Sequence, residues 1–86
     1  MFENLRDLFT YAEFIIRYEG ENTPITKGHV SSGFVRETSE FLRDQGVDKA
    51  RIIGIKTGNS VVLKFDKQLK DSIQQRIRNM WTGYSR

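Results

Sequence analysis

The chain has no cysteine, one histidine and one proline in 86 residues. The missing cysteine excludes disulfide scaffolds, thiolate catalysis and cysteine-based zinc sites. A single histidine, with no carboxylate pair of ligand-like spacing, leaves no expected metal site and no expected cofactor. Long apolar runs are also absent. The longest, Phe14-Ile15-Ile16 and Val61-Val62-Leu63, are far too short for a membrane-spanning helix or a signal peptide. A cytoplasmic protein that does not enter a membrane is therefore expected. There is no Gly-x-Ser-x-Gly elbow, phosphate-binding loop or dinucleotide fingerprint. Ser31 and Ser32 lie close to His29, but a serine before a helical pattern reads as a cap rather than a nucleophile. No catalytic residue is assigned, no small-molecule substrate is evident, and an enzyme is not expected.

What is present suits one small domain. A chain of this length buries roughly 60–65% of its unfolded surface, enough for a single core. The charge is uneven. Residues 1–63 carry eight Lys/Arg and nine Asp/Glu, whereas residues 64–86 carry six Lys/Arg and two acids. The net +3 of this small basic chain thus belongs to its C-terminal quarter, and such asymmetry can mark an anionic partner.

The spacing predicts an α+β fold: a short N-terminal helix, then ββαββα. Phe2, Leu5, Leu8, Phe9 and Ala12 recur at helical spacing, giving an amphipathic helix over residues 1–12. The compact domain is expected over 13–82, with 83–86 a frayed tail. Phe14 to Glu19 alternates as a half-buried strand, followed by a turn at Gly20-Glu21-Asn22 and a strand from Thr23 to Val30. Ser31 or Ser32 caps a helix that buries Phe34, Thr38, Phe41 and Leu42 and ends before Gly46 as C′ residue. Strands over Lys49–Thr57 and Ser60–Phe65 flank Gly58-Asn59, a pair suited to a type II′ turn. That register puts Ile52 and Gly54 beside Val61, Leu63 and Phe65. The other face receives Arg51, Ile53, Ile55, Val62 and Lys64. A three-residue loop with a bulge would bury Ile53 and Ile55 instead. The last helix starts between Lys67 and Asp71 and runs to about Trp81. The halves align weakly at an offset of 37, placing Phe14-Ile15-Ile16-Arg17-Tyr18 over Arg51-Ile52-Ile53-Gly54-Ile55. A four-stranded antiparallel sheet with two helices on one face is the economical layering.

Two sets of candidate functional residues follow. At 100° per residue, Leu69, Ile73, Ile77 and Met80 form the buried stripe of the last helix. Lys67, Lys70, Gln74 and Arg78 form a basic stripe with Trp81 at its edge, a candidate nucleic-acid contact. Arg76 points elsewhere and is expected to lay its stem on apolar surface. Lys27 and His29, beside Gly28 and the helix start, are a weaker candidate for holding an anion. The second set is the sheet face left bare by the helices: Ile15, Ile53, Ile55 and Val62, with Arg17 and Lys64 at its margin. Exposed apolar patches of that kind mark partner surfaces.

Lys27-Gly28-His29, Phe34, Leu63-Lys64-Phe65 and above all Ile73-Gln74-Gln75-Arg76-Ile77-Arg78-Asn79 carry a resemblance. Across Phe14 to Trp81 the chain resembles a small bacterial family of domains of unknown function. Where such relatives show prolines ahead of the helices, Ser31-Ser32 and Lys70 stand here. Some relatives carry an apolar N-terminal anchor in place of the amphipathic start of this chain. The resemblance implies one compact domain and no activity. The expected role is a non-enzymatic protein-interaction domain, binding another protein or a second copy through the bare sheet face. The alternative is a nucleic-acid-binding module that uses the basic stripe.

Overall fold

The computed structural model describes residues 12–84. Its elements are β1 (Ala12–Glu19), β2 (Asn22–Gly28), α1 (Ser32–Asp44), β3 (Ala50–Thr57), β4 (Ser60–Phe65) and α2 (Asp71–Tyr84). All neighbouring strands are antiparallel, in the order β2-β1-β3-β4. The predicted N-terminal helix lies outside the described residues, except that Ala12 belongs to β1. The predicted tail is corrected at its start, because Gly83 and Tyr84 continue α2.

Both hairpins turn through two residues with glycine first. Glu19 pairs with Asn22 around Gly20-Glu21, and Thr57 pairs with Ser60 around Gly58-Asn59. Gly20 and Gly58 have φ of 64° and 63°, and no described non-glycine residue has positive φ. A positive φ at the first turn position alone is the type II′ geometry that matches strand twist. The register expected for β3 and β4 holds, with Ile52 opposite Phe65 and Gly54 opposite Leu63.

The first hairpin departs from simple alternation. Between Arg17 and Glu19 the register shifts, so that Arg17 faces Ile25 and Ile16 faces Thr26. Thr23 and Pro24 together stand opposite Tyr18. Proline donates no ladder hydrogen bond, and a bulge on an edge strand is where a sheet tolerates it. The bulge turns Ile25 away from the helices. It also corrects the weak internal alignment. The turns place β1 over β3 at an offset of 38, because Glu19 corresponds to Thr57, while Ile25 and Val62 still correspond at 37. An offset of 37 in the first strand would set Ile16, which faces the helices, over Ile53, which does not. One residue of slip exchanges the faces of a strand.

The core lies between one sheet face and both helices. Phe14, Ile16, Tyr18, Ala50, Ile52 and Leu63 from the sheet meet Phe34 and Leu42 of α1 and Leu69, Ile73 and Ile77 at α2. Phe14, Phe34 and Trp81 close one end as an aromatic cluster, with ring centroids 4.9–6.5 Å apart. Glu37 of α1 meets Tyr84, and Phe41 meets Arg76, so the two helices run antiparallel. Helix α1 starts at N-cap Ser31, whose Oγ accepts the Phe34 amide. It ends in a Schellman motif. Val47 N–H donates to Leu42 O and Gly46 N–H to Arg43 O, each at 3.0 Å. Ser39 is buried and Phe41 only half-buried, a small rotation from the expected stripe. Met80 likewise packs against the core while only half-buried.

Candidate interaction surface

The pairing registers assemble the helix-free face as rows across the sheet. One row reads Lys27, Ile15, Ile53, Lys64. On one side of it lie Ile55 and Val62, paired with each other. On the other side lie Ile25, Arg17 and Arg51. The face is an aliphatic band edged by cations. Ile25 and Val62, on its two edge strands, are 44% and 40% exposed. Ile15 and Ile55 are half-buried, whereas Ile53 is only 1% exposed. Ile15, Arg17, Ile25, Lys27 and Arg51 line a shallow groove of about 200 Å³.

The electrostatics of this face have a specific cause. Arg17 and Arg51 stand directly opposite on the two central strands, an arrangement that repels unless each charge is answered. Arg17 meets Glu19 at 3.3 Å. Arg51 lies close to Asp66 in charge and through a backbone hydrogen bond. Burial nevertheless holds the Asp66 carboxyl above the usual carboxylate range, and the Arg51 charge pulls it back only in part. The acids thus gather at the arginine end of the face, while Lys27 and Lys64 have no acid in salt-bridge reach among the described residues.

The helical stripe is dispersed. Lys67 and Lys70 are exposed, but Gln74 is half-buried and its Nε2 donates to Leu69 O at 2.7 Å, closing the first turn of α2. The Arg78 guanidinium lies 5.0 Å from the Phe65 ring centroid. Trp81 is half-buried against Phe14 and Phe34, at 5.2 and 4.9 Å. Its indole belongs to the aromatic cluster rather than to an open stacking surface. Arg76 covers Phe41 from 5.4 Å, as its position on the shoulder of the core stripe implies.

Lys27 and His29 also part company. Lys27 lies on the helix-free face, whereas exposed His29 borders a shallow depression with Trp81 and Tyr84. The Ser31 hydroxyl is engaged at the cap, and the His29 amide donates to Glu13 O. Residues in metal-binding clusters are absent among the described residues. No described helix is long and apolar enough to cross a membrane.

Sequence reasoning found Ile15, Ile53, Ile55 and Val62 on this face, with Arg17 and Lys64 at its margin. It missed Ile25, and it set Lys27 beside His29. Counting pairs back from the expected turn at Gly20-Glu21-Asn22 would have placed both, because it sets Ile25 opposite Arg17 and Lys27 opposite Ile15, the pairs the structure has. No curated protein and no solved structure matches the chain. One family does, over residues 5–85, and its description is a protein of unknown function. That match covers nearly the whole chain, including both helices and all four strands, and the chain belongs to this family, DUF3634.

Proposed function

We propose that this chain is a non-enzymatic protein-interaction domain whose working surface is the helix-free sheet face. The observation that carries the reading is the pair Ile25 and Val62. They are large aliphatics exposed at 44% and 40% on the two edges of one face, with Ile15 and Ile55 between them. An aliphatic band with lysines on both sides suits a polypeptide that brings an apolar stripe flanked by acids. A nucleic acid is a poorer fit, because among the described residues this face has no aromatic side chain on which a base could stack.

The test is a photo-crosslinking residue placed in the full chain at position 25 or 62, with positions 40 and 75 on the outer sides of the helices as controls. Discrete intermolecular adducts from 25 and 62, and none from 40 and 75, are expected. Adduct mass then separates a second copy from another protein. No adduct, or equal yield from all four positions, would overturn the reading.

A further inference from the structure

The two edges of the sheet are built differently. At β2 the edge is interrupted. Pro24 has no N–H, the strand bulges at Thr23-Pro24, and Gly28 leaves it with φ of 84°. Such features keep a foreign strand off an edge. At β4, where the strand order ends among the described residues, none of them is found. Ser60-Val61-Val62-Leu63-Lys64-Phe65 has no proline or glycine and pairs with β3 without a shift in register.

The free groups of the β4 edge can be counted from the turn. Two turn residues make Thr57 and Ser60 a hydrogen-bonded pair, and alternation then makes Ile55 with Val62, and Ile53 with Lys64, hydrogen-bonded pairs too. Val62 and Lys64 direct their backbone groups to β3. Val61, Leu63 and Phe65 direct theirs outward, three N–H and three C=O along one line. The flanking side chains are apolar on both faces of the sheet. Val61 and Phe65 are half-buried on the helix side, and Val62 is 40% exposed on the other.

We infer that β4 pairs antiparallel with β4 of a second copy, about a two-fold axis at Leu63, to give one continuous sheet with all the helices on one side. The occupant follows from self-complementarity. An axis at Leu63 sets Leu63 opposite its twin and Val61 opposite Phe65 of the second copy. All three are outward-bonding positions, so six hydrogen bonds form and no outward group of the strand is left over. An axis at Val62 or at Lys64 forms only four, and the latter also sets Lys64 directly against its twin, where like charges repel. With the axis at Leu63, Val61 and Phe65 of the two copies make apolar pairs on the helix side. On the helix-free face Val62 meets Lys64 of the second copy, whose stem covers the valine. The two Phe65 rings lie four residues apart along the seam, about 14 Å, so the Arg78 guanidinium over each stays clear of its twin. Pairing joins the two helix-free faces into one, and a partner of that face then meets two aliphatic bands side by side.

The absence of cysteine lets single thiols test the register in the full chain. Val62 and Lys64 of opposite copies form a non-hydrogen-bonded pair, with Cα atoms about 4.5 Å apart and within reach of a disulfide. Val62 and its twin, like Lys64 and its twin, stand on the diagonal at about 7–8 Å, beyond that reach. A mixture of Val62→Cys chains with Lys64→Cys chains should therefore oxidise to the mixed dimer, while neither variant crosslinks alone. In sedimentation, Val62→Glu, set against Lys64 of the second copy, should dimerise more tightly than Val62→Lys, by about fourfold or more in dissociation constant. No mixed dimer, or crosslinking of either single variant as fast as the mixture, would overturn the inference. So would Val62→Lys dimerising as tightly as Val62→Glu. The seam and the face proposed above fail separately. Position 25 lies on the opposite edge, three strands away from β4 and outside the seam. Adducts from 62 and none from 25 remove the face reading. Adducts from both, with no mixed disulfide, remove the seam.

Discussion

Replacing Gly54 by alanine should be among the more damaging single-methyl additions this domain can receive. Gly54 lies on β3 beneath the Phe14 ring. A Cβ built there falls closer than 3.0 Å to Cδ2, Cε2 and Cζ of Phe14. Carbon atoms pack at about 3.5–4.0 Å, so the ring must retreat by roughly an ångström. It has nowhere to go. Phe14 is 1% exposed, and its ring sits 5.2 Å from that of Trp81 and 6.5 Å from that of Phe34. Phe34 and Trp81 are themselves in contact at 4.9 Å. Overpacking of this kind costs about 1–3 kcal/mol. The lower entropy of an unfolded chain that has lost a glycine offsets about 0.4–1 kcal/mol. The net loss is about 1–2 kcal/mol. In a domain of this size that lowers Tm by about 4–16 °C. Trp81, the single tryptophan, reports the transition by fluorescence in urea, where the midpoint should fall and the slope should stay. Leu in place of Phe14 removes the clashing ring atoms. Gly54→Ala and Phe14→Leu should therefore be coupled by about 1 kcal/mol or more. A Gly54→Ala domain whose Tm lies within about 2 °C of the parent would refute the argument. Strict additivity in the double variant would refute it equally.

Three further outcomes follow from the same packing. Thr38 is 1% exposed and its Oγ1 has no hydrogen-bond partner, so Thr38→Val should raise stability by about 1 kcal/mol in urea unfolding. Gly28 has φ of 84°, and a Cβ there runs into the Glu13 carbonyl oxygen, so Gly28→Ala should cost at least about 2 kcal/mol and lower Tm accordingly. Because burial raises Asp66 above 3.8, the folded chain holds that proton more tightly than the unfolded one, and stability falls as pH rises from near 3.8 through the folded value. The stability of Asp66→Asn relative to the parent should therefore grow over that window and level off above it. A difference that shrinks with rising pH would mean that attraction to Arg51 outweighs burial.

Where one local rule governed a segment, the residues announced it. The register of β3 and β4 depends on Gly58 adopting positive φ while Asn59 does not, and the type II′ turn then fixes which isoleucine faces the helices. The end of α1 depends on Gly46 and on Val47 following it, and the Schellman bonds form there. Where two rules compete, the sequence is silent about which one prevails. Trp81 lies on the shoulder of the α2 stripe, where an indole can be free or packed. Phe14 and Phe34 supply the aromatic faces that draw it inward, and they come from elements distant in the chain. Arg78 meets Phe65 and Gln74 meets the Leu69 carbonyl, so a basic stripe drawn on a helical wheel loses its members to contacts that the wheel does not contain.

The candidate surface was legible to the extent that its strands alternate without interruption. Ile15, Ile53 and Ile55 follow from β1 and β3, and Val62 from the hairpin. Ile25 is overlooked, although the three-residue turn expected at Gly20-Glu21-Asn22 already sets it opposite Arg17. The structure reaches the same pairing by a two-residue turn at Gly20-Glu21 followed by a bulge, without which Ile25 would pair with Ile16 on the helix side. The extra residue at Thr23-Pro24 reverses its direction and brings Lys27 to the same face. That single insertion decides the chemistry of the surface. Without it Thr26 would stand beside Ile15 and Pro24 beside Arg17 on this face, with no lysine at its β2 end. With it, the aliphatic band is bracketed by cations on both edge strands. A flat apolar sheet face is an invitation to indiscriminate pairing, and charged residues at its margins restrict what can settle on it. Lys27 and Lys64 set that restriction here, one on each edge strand.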